Sequence, residues 1–291
     1  MPRRPSDRSR TSGGDTAAAT DALLGPHPID TGTAEIVRDL DRPSTLVLLV
    51  NGVPSSVHDL DDPGLLDFDY LRWIALTLLS RPAVDPTART DVLHLGAGGC
   101  SLARHLADAL PGSRHLAVEI DAALAEGVRR WFPLPTAPVL RIRVGDARTV
   151  TESLGDGSRD VVVRDVFAGA VTPAALTTVE FTREVQRVLR PGGLYLANSI
   201  GVLGEIHGEL GTLAAVFPYI AVIAHASTLK DRQRGNLILA GSDTPFVTPA
   251  VRTALLRDRT PAQLRGRDEL GAAVDVRRAL RDAAHGGWSA P

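Results

Sequence analysis

The sequence predicts an α/β fold: a mostly parallel, seven-stranded sheet with a small N-terminal β-hairpin unit ahead of it. From Asp91 onward, short apolar segments rich in β-branched residues alternate with segments whose apolar residues recur at helical spacing. Strands that are apolar along their whole length are typical of a parallel sheet covered by helices on both faces. Upstream, the extended segments within residues 44–60 meet at Asn51-Gly52, a dipeptide that favours a hairpin turn.

The elements follow from this alternation. A helix is predicted within residues 63–80, where apolar residues recur at helical spacing after Asp67 and Asp69. The seven strands are DVLHL, HLAVE, LRIRV, DVVVRD, LYLANS, IAVIAHA and NLILAG, and the helical stretches between them are Ser101–Leu110, Ala122–Trp131, Thr177–Leu189 and Leu203–Val216. Because no convincing helix separates the last two strands, we expect an antiparallel pair to close the sheet.

Composition divides the chain into four segments. Residues 1–30 contain arginines but no apolar core, which predicts a disordered leader rather than a secretory signal. Residues 31–88 form the hairpin and helix unit, and residues 89–247 form the Rossmann-like nucleotide-binding domain. Residues 248–291 are rich in Arg, Ala and Leu, which predicts a helical or partly loose tail.

Charge and cysteine content exclude several classes of function. The net charge of −2 gives no global attraction to nucleic acid, and no run of about 18 apolar residues is present to span a membrane. The single cysteine and eight scattered histidines predict neither a disulfide nor a metal site. The sequence therefore predicts a soluble cytoplasmic protein with no nucleic-acid or membrane partner.

A glycine-rich turn follows the first strand of the main domain. In "HLGAGGCS", Gly96, Gly98 and Gly99 lie between the strand that ends at Leu95 and a helix that begins near Ser101. Glycines at such a turn let the backbone approach a ligand and place free N–H groups at the positive end of a helix. The alternative is a tight turn that binds no ligand.

Two acidic residues at the ends of the next strands favour a nucleotide. Glu119 lies 23 residues after Gly96, close to the offset of roughly 20 at which an acid accepts the ribose hydroxyls. Asp146, followed by Ala147, ends the third strand, and the carboxyl ends of such strands line one crevice. Each acid alone is commonly a solvated turn or a helix cap. A nicotinamide dinucleotide fits less well, because Ser101 stands where its fingerprint requires a third glycine.

These motifs together resemble a known family. The chain resembles the class I S-adenosylmethionine-dependent methyltransferase fold in five motifs, which are "VLHLGAGGCS", "VEID", "VGDAR", "VVVRDVF" and "VLRPGGLYLANS". With "LLVNGVPSSVHDLDDPGLLDFDY" before them and "RGNLILAGS" after them, they resemble its spermidine synthase (polyamine aminopropyltransferase) branch over residues 33–245.

The resemblance implies a cofactor, S-adenosylmethionine or its decarboxylated form, and a role for each matching residue. It implies that Glu119 holds the ribose, that Asp146 holds the adenine amino group, and that Gly96 and Gly98 border the methionine-derived chain. The predicted nucleotide-binding set is Gly96, Gly98, Gly99, Glu119, Asp146 and Ala147. The resemblance also implies a homodimer formed through the hairpin region.

The resemblance implies two catalytic residues. Asp165 matches the first aspartate of the family's Asp-x-x-Asp loop, which helps to deprotonate the attacking amine, and Tyr70 matches the tyrosine of its Tyr-(His/Gln)-Glu segment. Asp165 as a structural cap and Tyr70 as a core residue are the alternatives.

Departures from the family pattern bear on the acceptor. Gly99 and Ala168 stand where the family has aspartates, and Leu71 and Arg72 follow Tyr70 in place of a polar residue and a glutamate. Putrescine is a dication that needs paired carboxylates when it is desolvated, and Arg72 is expected to repel it. The leading prediction is therefore methyl transfer to a small-molecule acceptor. A true aminopropyltransferase and a non-catalytic nucleotide-binding relative are the alternatives.

Overall fold

The computed structural model describes residues 20–81, 85–169 and 171–283. The N-terminal strands form a four-stranded antiparallel sheet in the order β1-β2-β3-β4, with β1 at Gly25–Ile29, β2 at Gly32–Arg38, β3 at Thr45–Val50 and β4 at Val53–Asp59. The predicted hairpin at Asn51-Gly52 joins β3 to β4, and both turn residues have positive φ angles of 51° and 78°. The N-terminal unit is therefore a four-stranded meander where the sequence indicated a single hairpin.

The main sheet has eight strands in the order β12-β10-β11-β9-β8-β5-β6-β7. Its strands are β5 Asp91–Leu95, β6 Arg114–Glu119, β7 Leu140–Val144, β8 Arg159–Arg164, β9 Leu189–Gly201, β10 Tyr219–Ala224, β11 Gly235–Ser242 and β12 Gln263–Gly266. The five strands from β9 to β7 pair in parallel, whereas β10 and β11 pair antiparallel to each other. The predicted α/β fold and its antiparallel closing pair are confirmed.

Helices cover both faces of the main sheet. They are α1 Asp69–Leu79, α2 Ser101–Ala109, α3 Ala122–Trp131, α4 Ala147–Glu152, α5 Val179–Val188, α6 His207–Val216, α7 Pro249–Arg257 and α8 Arg267–Leu270. Asp121 begins α3 by accepting the Leu124 N–H at 2.7 Å, and Thr178 caps α5 in the same way. Helix α4 has six residues, and the sequence analysis did not predict it. None of the helices in the described ranges has the length and apolar character needed to cross a bilayer.

Three of the four apolar clusters in the described residues join these layers. One packs α4, α5 and α6 on one face of the main sheet, and a second packs α1, α2 and α7 on the opposite face. In the third, Ile36 and Leu48 of the N-terminal sheet pack against Trp131 of α3. This third cluster places the N-terminal sheet beside the turn between β5 and α2.

The structure differs from the sequence expectation in the two terminal segments. Strand β1 begins at Gly25, so the last part of the predicted 1–30 leader is folded, while residues 1–19 lie outside the described residues. The two prolines of β1 suggest a loop, but an edge strand tolerates prolines. In the 248–291 tail, β12 pairs with β10 as an edge strand that was not predicted, because four residues carry too little alternation. Residues 284–291 lie outside the described ranges.

Candidate active site at the carboxyl edge of the main sheet

The glycine turn packs directly against the end of β8. Gly96 and Gly98 have φ angles of +84° and +46°, which glycine adopts without strain. A Cβ atom on Gly96 would lie 2.2 Å from the backbone carbonyl oxygen of Asp165. Glycine at position 96 therefore lets the turn after β5 touch the residue that follows β8.

The N-terminal sheet holds the same turn from the other side. The Gly99 N–H donates to Ser56 Oγ at 2.7 Å, and His58 Nε2 donates to the Gly99 carbonyl oxygen at 2.7 Å. His58 is buried and stacks on Phe132 with ring centroids 4.1 Å apart, and burial lowers its pKa to about 3. A neutral, fixed imidazole thus anchors the turn.

Glu119 lies at the end of β6 with its carboxylate against the glycine turn. Oε2 accepts the Ala97 and Gly98 N–H groups at 3.3 and 3.2 Å, and Oε1 accepts the Ile120 and Asp121 N–H groups at 2.9 and 3.2 Å. Burial raises the pKa of Glu119, and these backbone hydrogen bonds oppose that shift. The structure therefore brings Glu119, Gly96 and Gly98 together.

Asp146 lies at the adjoining strand end. The Gly145 N–H donates to the Glu119 carbonyl oxygen at 2.9 Å, which joins the ends of β6 and β7. The Asp146 carboxylate accepts the Thr149 N–H at 2.8 Å and so caps α4, the structural role that the sequence left open. Ala147 is buried in the core.

Two side chains from distant parts of the chain bind the Asp165 carboxylate. The Tyr70 hydroxyl donates to Asp165 Oδ2 at 2.9 Å, and Asn198 Nδ2 donates to Oδ1 at 2.9 Å. Burial raises the pKa of Asp165, while both hydrogen bonds and the nearby Arg164 oppose the rise. Burial and the charge of Asp165 raise the pKa of Tyr70 well above its ordinary value. The phenol is therefore a hydrogen-bond donor to the carboxylate at neutral pH.

Asn198 was missed by the sequence analysis. Its signal is a polar residue within the apolar strand segment "LYLANS", near the carboxyl end of β9. Its Oδ1 atom is buried and accepts no hydrogen bond from the described residues. Since an unpaired buried acceptor costs free energy, this oxygen is suited to receive an N–H from a bound ligand.

A second carboxylate, also missed, lies beside Tyr70. Asp69 Oδ1 accepts the Tyr70 backbone N–H at 2.6 Å, and Oδ2 lies 3.3 Å from His225 Nε2. The His225 ring meets the Trp73 ring edge-on, with centroids 5.0 Å apart. The charge of Asp69 contributes to the raised pKa of Tyr70.

The expected repulsion of a cation by Arg72 is wrong. The Arg72 guanidinium binds both carboxylate oxygens of Asp258 at 3.0 Å and Thr260 Oγ1 at 2.8 Å. Because its charge is neutralised by this ion pair, Arg72 does not oppose a ligand near Tyr70. Within the described ranges, no group of three or more His, Cys, Asp or Glu side chains is arranged to hold a metal ion.

Comparison with known proteins gives the family. The model of the methyltransferase domain matches residues 93–197. The crystal structure of a probable spermidine synthase from Corynebacterium glutamicum is 39% identical, covers 92% of this chain and 99% of that chain, and has a TM-score of 0.83. The chain belongs to the spermidine synthase-like family. The resemblance that the sequence indicated is confirmed.

Curated members of the wider fold include two kinds of transferase. The polyamine aminopropyltransferase of Chromobacterium violaceum is 33% identical over 49% of this chain and 53% of its own length. The eEF1A lysine and N-terminal methyltransferase of Xenopus laevis is 28% identical over 56% of this chain and 26% of its own length. This spermidine synthase-like chain thus spans between a quarter and about half of these curated relatives.

We expect Gly96→Ala to destabilise the protein and to weaken nucleotide binding. The added Cβ would collide with the Asp165 carbonyl, and the positive φ alone costs about 1–3 kcal/mol in a non-glycine residue. Gly155→Ala is the matched control, because Gly155 has no positive φ and no atom near its Cβ position, so it stays within about 0.5 kcal/mol. Denaturant unfolding measures both variants. Equal free energies of unfolding would contradict the packing described.

Proposed function

We propose that this protein is a transferase that binds S-adenosylmethionine and moves its methyl group to an amine of a small-molecule acceptor. One observation carries the proposal. The Asp165 carboxylate is bound by Tyr70 and Asn198, while the backbone carbonyl of the same residue packs against Gly96 of the glycine turn. The proposed proton acceptor and the glycine turn that we propose to bind the nucleotide therefore adjoin at one edge of the sheet.

The reaction needs few chemical groups from the protein. The lone pair of the acceptor nitrogen forms a bond to the methyl carbon, the C–S bond breaks, and the sulfonium becomes a neutral thioether. Alignment of the nitrogen with the C–S bond and exclusion of water supply most of the effect. The proton that leaves the nitrogen goes to Asp165. Burial favours this step because it raises the pKa of the carboxyl group.

We propose that the nucleotide is held by four residues at the strand ends, Glu119, Asp146, Gly96 and Gly98. The Glu119 carboxylate already faces the turn, and Asp146 ends the neighbouring strand, so both stand where the carboxyl ends of parallel strands form a crevice. Methyl transfer is preferred because the loop after β8 carries one carboxylate where the family pattern has two. The residue at the second position, Ala168, is exposed and has no charge.

Aminopropyl transfer from decarboxylated S-adenosylmethionine is the second candidate. It is favoured by the 39% identity to a probable spermidine synthase over 99% of that chain. The Asp69 carboxylate beside Tyr70 also favours it, since it supplies a negative charge that the motif comparison did not count.

The choice of nucleotide separates these candidates. We expect calorimetry to show that S-adenosylmethionine binds about tenfold or more tightly than its decarboxylated form, with NAD as the negative control. Preference for the decarboxylated form, with turnover of putrescine, would establish the second candidate instead. Nucleotide binding with no modification of any amine in a broad panel would indicate a binding protein.

Asp165→Asn tests the proposed base. The amide keeps the shape of the side chain but cannot accept the proton, so we expect kcat to fall by about 10²- to 10⁴-fold with little change in nucleotide affinity. Asp268→Asn, at an exposed residue of α8, is the control with unchanged kcat. An Asp165→Asn variant as active as the parent protein would refute the assignment.

We propose a cytoplasmic homodimer formed through the N-terminal sheet. Leu40 and Val53 in this region are 97% and 63% exposed, and a partner surface would cover such side chains. Light scattering is expected to give twice the chain mass, and Val53→Asp is expected to lower it. A monomer mass for the unmodified protein excludes the dimer.

A further inference from the structure

We infer that Arg164, held by Glu209, is a positioning residue that sets the separation of Asp165 and Asn198 from the opposite face of the main sheet. This inference rests on the proposed function, in which Asp165 takes the proton of the acceptor nitrogen. It concerns a buried ion pair that the sequence analysis did not single out.

Arg164 and Asp165 are consecutive residues that act on opposite faces of the sheet. The Arg164 guanidinium donates to Glu209 of α6 at 2.7 Å, whereas Asp165 accepts the hydroxyl of Tyr70 of α1 at 2.9 Å. Helices α6 and α1 pack on opposite faces of the sheet, and successive side chains of a strand point to opposite faces. Arg164 therefore reaches the site through its backbone and not through the side chains that face a ligand.

The guanidinium joins three segments at the carboxyl end of β8. Nη1 donates to the Leu176 carbonyl oxygen at 2.8 Å, and Nη2 donates to the Asn198 carbonyl oxygen and to Ser199 Oγ, both at 3.1 Å. Strand β8 ends at Arg164, whereas β9 continues past its pairing with β8. Arg164 thus binds β9 where the backbone pairing of the two strands has ended, at the residue whose side chain binds Asp165.

Glu209 fixes the orientation of the guanidinium. Its Oε2 atom accepts Arg164 Nη2 at 2.7 Å, and its Oε1 atom accepts Ser199 Oγ at 2.9 Å. These three side chains therefore form a closed set of hydrogen bonds beneath the end of β9. The Arg164 side chain is 1% exposed and that of Glu209 is 18% exposed. Because an unpaired buried charge is strongly unfavourable, Glu209 is the partner that allows an arginine at this position.

Stability alone does not account for a buried ion pair here. Replacing such a pair by apolar residues of similar volume is often neutral or stabilising, and Val162, on the same face of β8, is itself a fully buried apolar residue. An apolar side chain cannot bind two backbone carbonyl groups at once, whereas the rigid fork of a guanidinium can. The function of Arg164 is therefore to hold the Asn198 backbone and the Leu176 backbone at fixed positions relative to β8.

This positioning bears on the transfer step. Asn198 Nδ2 donates to Asp165 Oδ1 at 2.9 Å, and Asn198 Oδ1 is buried with no donor among the described residues. Both side chains are proposed to meet the same acceptor nitrogen, so their separation sets where that nitrogen lies. A displacement of about 1 Å can lower a rate about 100-fold. Arg164 is therefore expected to affect kcat more than nucleotide affinity.

The double variant Arg164→Met/Glu209→Gln tests the inference. It removes both charges together, and the glutamine still accepts the Ser199 hydroxyl. With S-adenosylmethionine and the amine of the panel that is turned over fastest, we expect kcat to fall about 10- to 100-fold. Calorimetry is expected to show S-adenosylhomocysteine affinity within about twofold of the parent protein. In a crystal structure of the variant, Asp165 Oδ1 and Asn198 Nδ2 are expected to lie more than about 3.5 Å apart, beyond hydrogen-bond distance.

Arg187→Met is the matched control. Arg187 also donates to a backbone carbonyl, that of Leu154 at 2.8 Å, and pairs with a glutamate, Glu184. It lies at the end of α5, next to the start of β9 and so at the opposite edge of the sheet. Its replacement is expected to leave both kcat and the Asp165–Asn198 separation unchanged.

Arg164→Lys separates position from charge. The lysine keeps the positive charge beside Glu209 but cannot bind both carbonyl groups, so kcat is expected to fall about fivefold or more. A lysine variant as active as the parent protein would show that the fork is not needed, and it overturns the inference. If the double variant does not fold, the lysine variant is judged by the same separation in its crystal structure.

The failure of this inference differs from the failure of the proposed function. An unchanged separation of Asp165 Oδ1 and Asn198 Nδ2 in the double variant overturns the positioning role, as does an unchanged kcat. If the unmodified protein modifies no amine, the proposed function fails, and the separation alone then judges whether Arg164 positions these side chains.

Discussion

The contact between the glycine turn and the end of β8 is the constraint on which the site depends. A parallel sheet brings the carboxyl ends of β5 and β8 side by side, but side chains at the turn would keep their backbones apart. At Gly96 the absence of a Cβ lets the turn meet the Asp165 carbonyl. The position of Asp165 relative to the glycine turn is thus fixed by backbone packing rather than by flexible side chains.

The N-terminal sheet acts on the same turn. Ser56 and His58 of β4 bind the N–H and carbonyl of Gly99, while the sheet itself is anchored to α3 through an apolar cluster. A neutral histidine is suited to this role, because a charged one in the same buried position would carry a desolvation cost. The small N-terminal unit therefore fixes the geometry of the glycine turn as well as contributing to the fold.

The local sequence pattern predicted the strands of the sheet. The residues that it did not predict are brought together by long-range packing. Strand β5 and helix α3 match their predicted ranges. The strand is a short, fully buried and mostly apolar segment, and the helix has a clear helical period with a capping aspartate. Glu119 followed from its offset after the glycines. Asn198 and His225 could not be found in this way, because they bind partners 33 and 156 residues distant in the sequence. Their roles depend on strand order and on where α1 lies, which local periodicity does not encode.

The motif comparison misjudged the effect of Arg72 beside Tyr70. Compared with the family pattern, the loop after β8 lacks one aspartate and the segment after Tyr70 has an additional arginine. Together these differences predicted that a cation would be repelled there. In the folded chain the arginine is neutralised by Asp258, and Asp69 approaches Tyr70 from the preceding position. Electrostatic fit depends on which charges face the ligand and which are already paired, so charge at a site has to be summed over space rather than over sequence. On that sum, the paired Arg72 adds no net positive charge beside Tyr70.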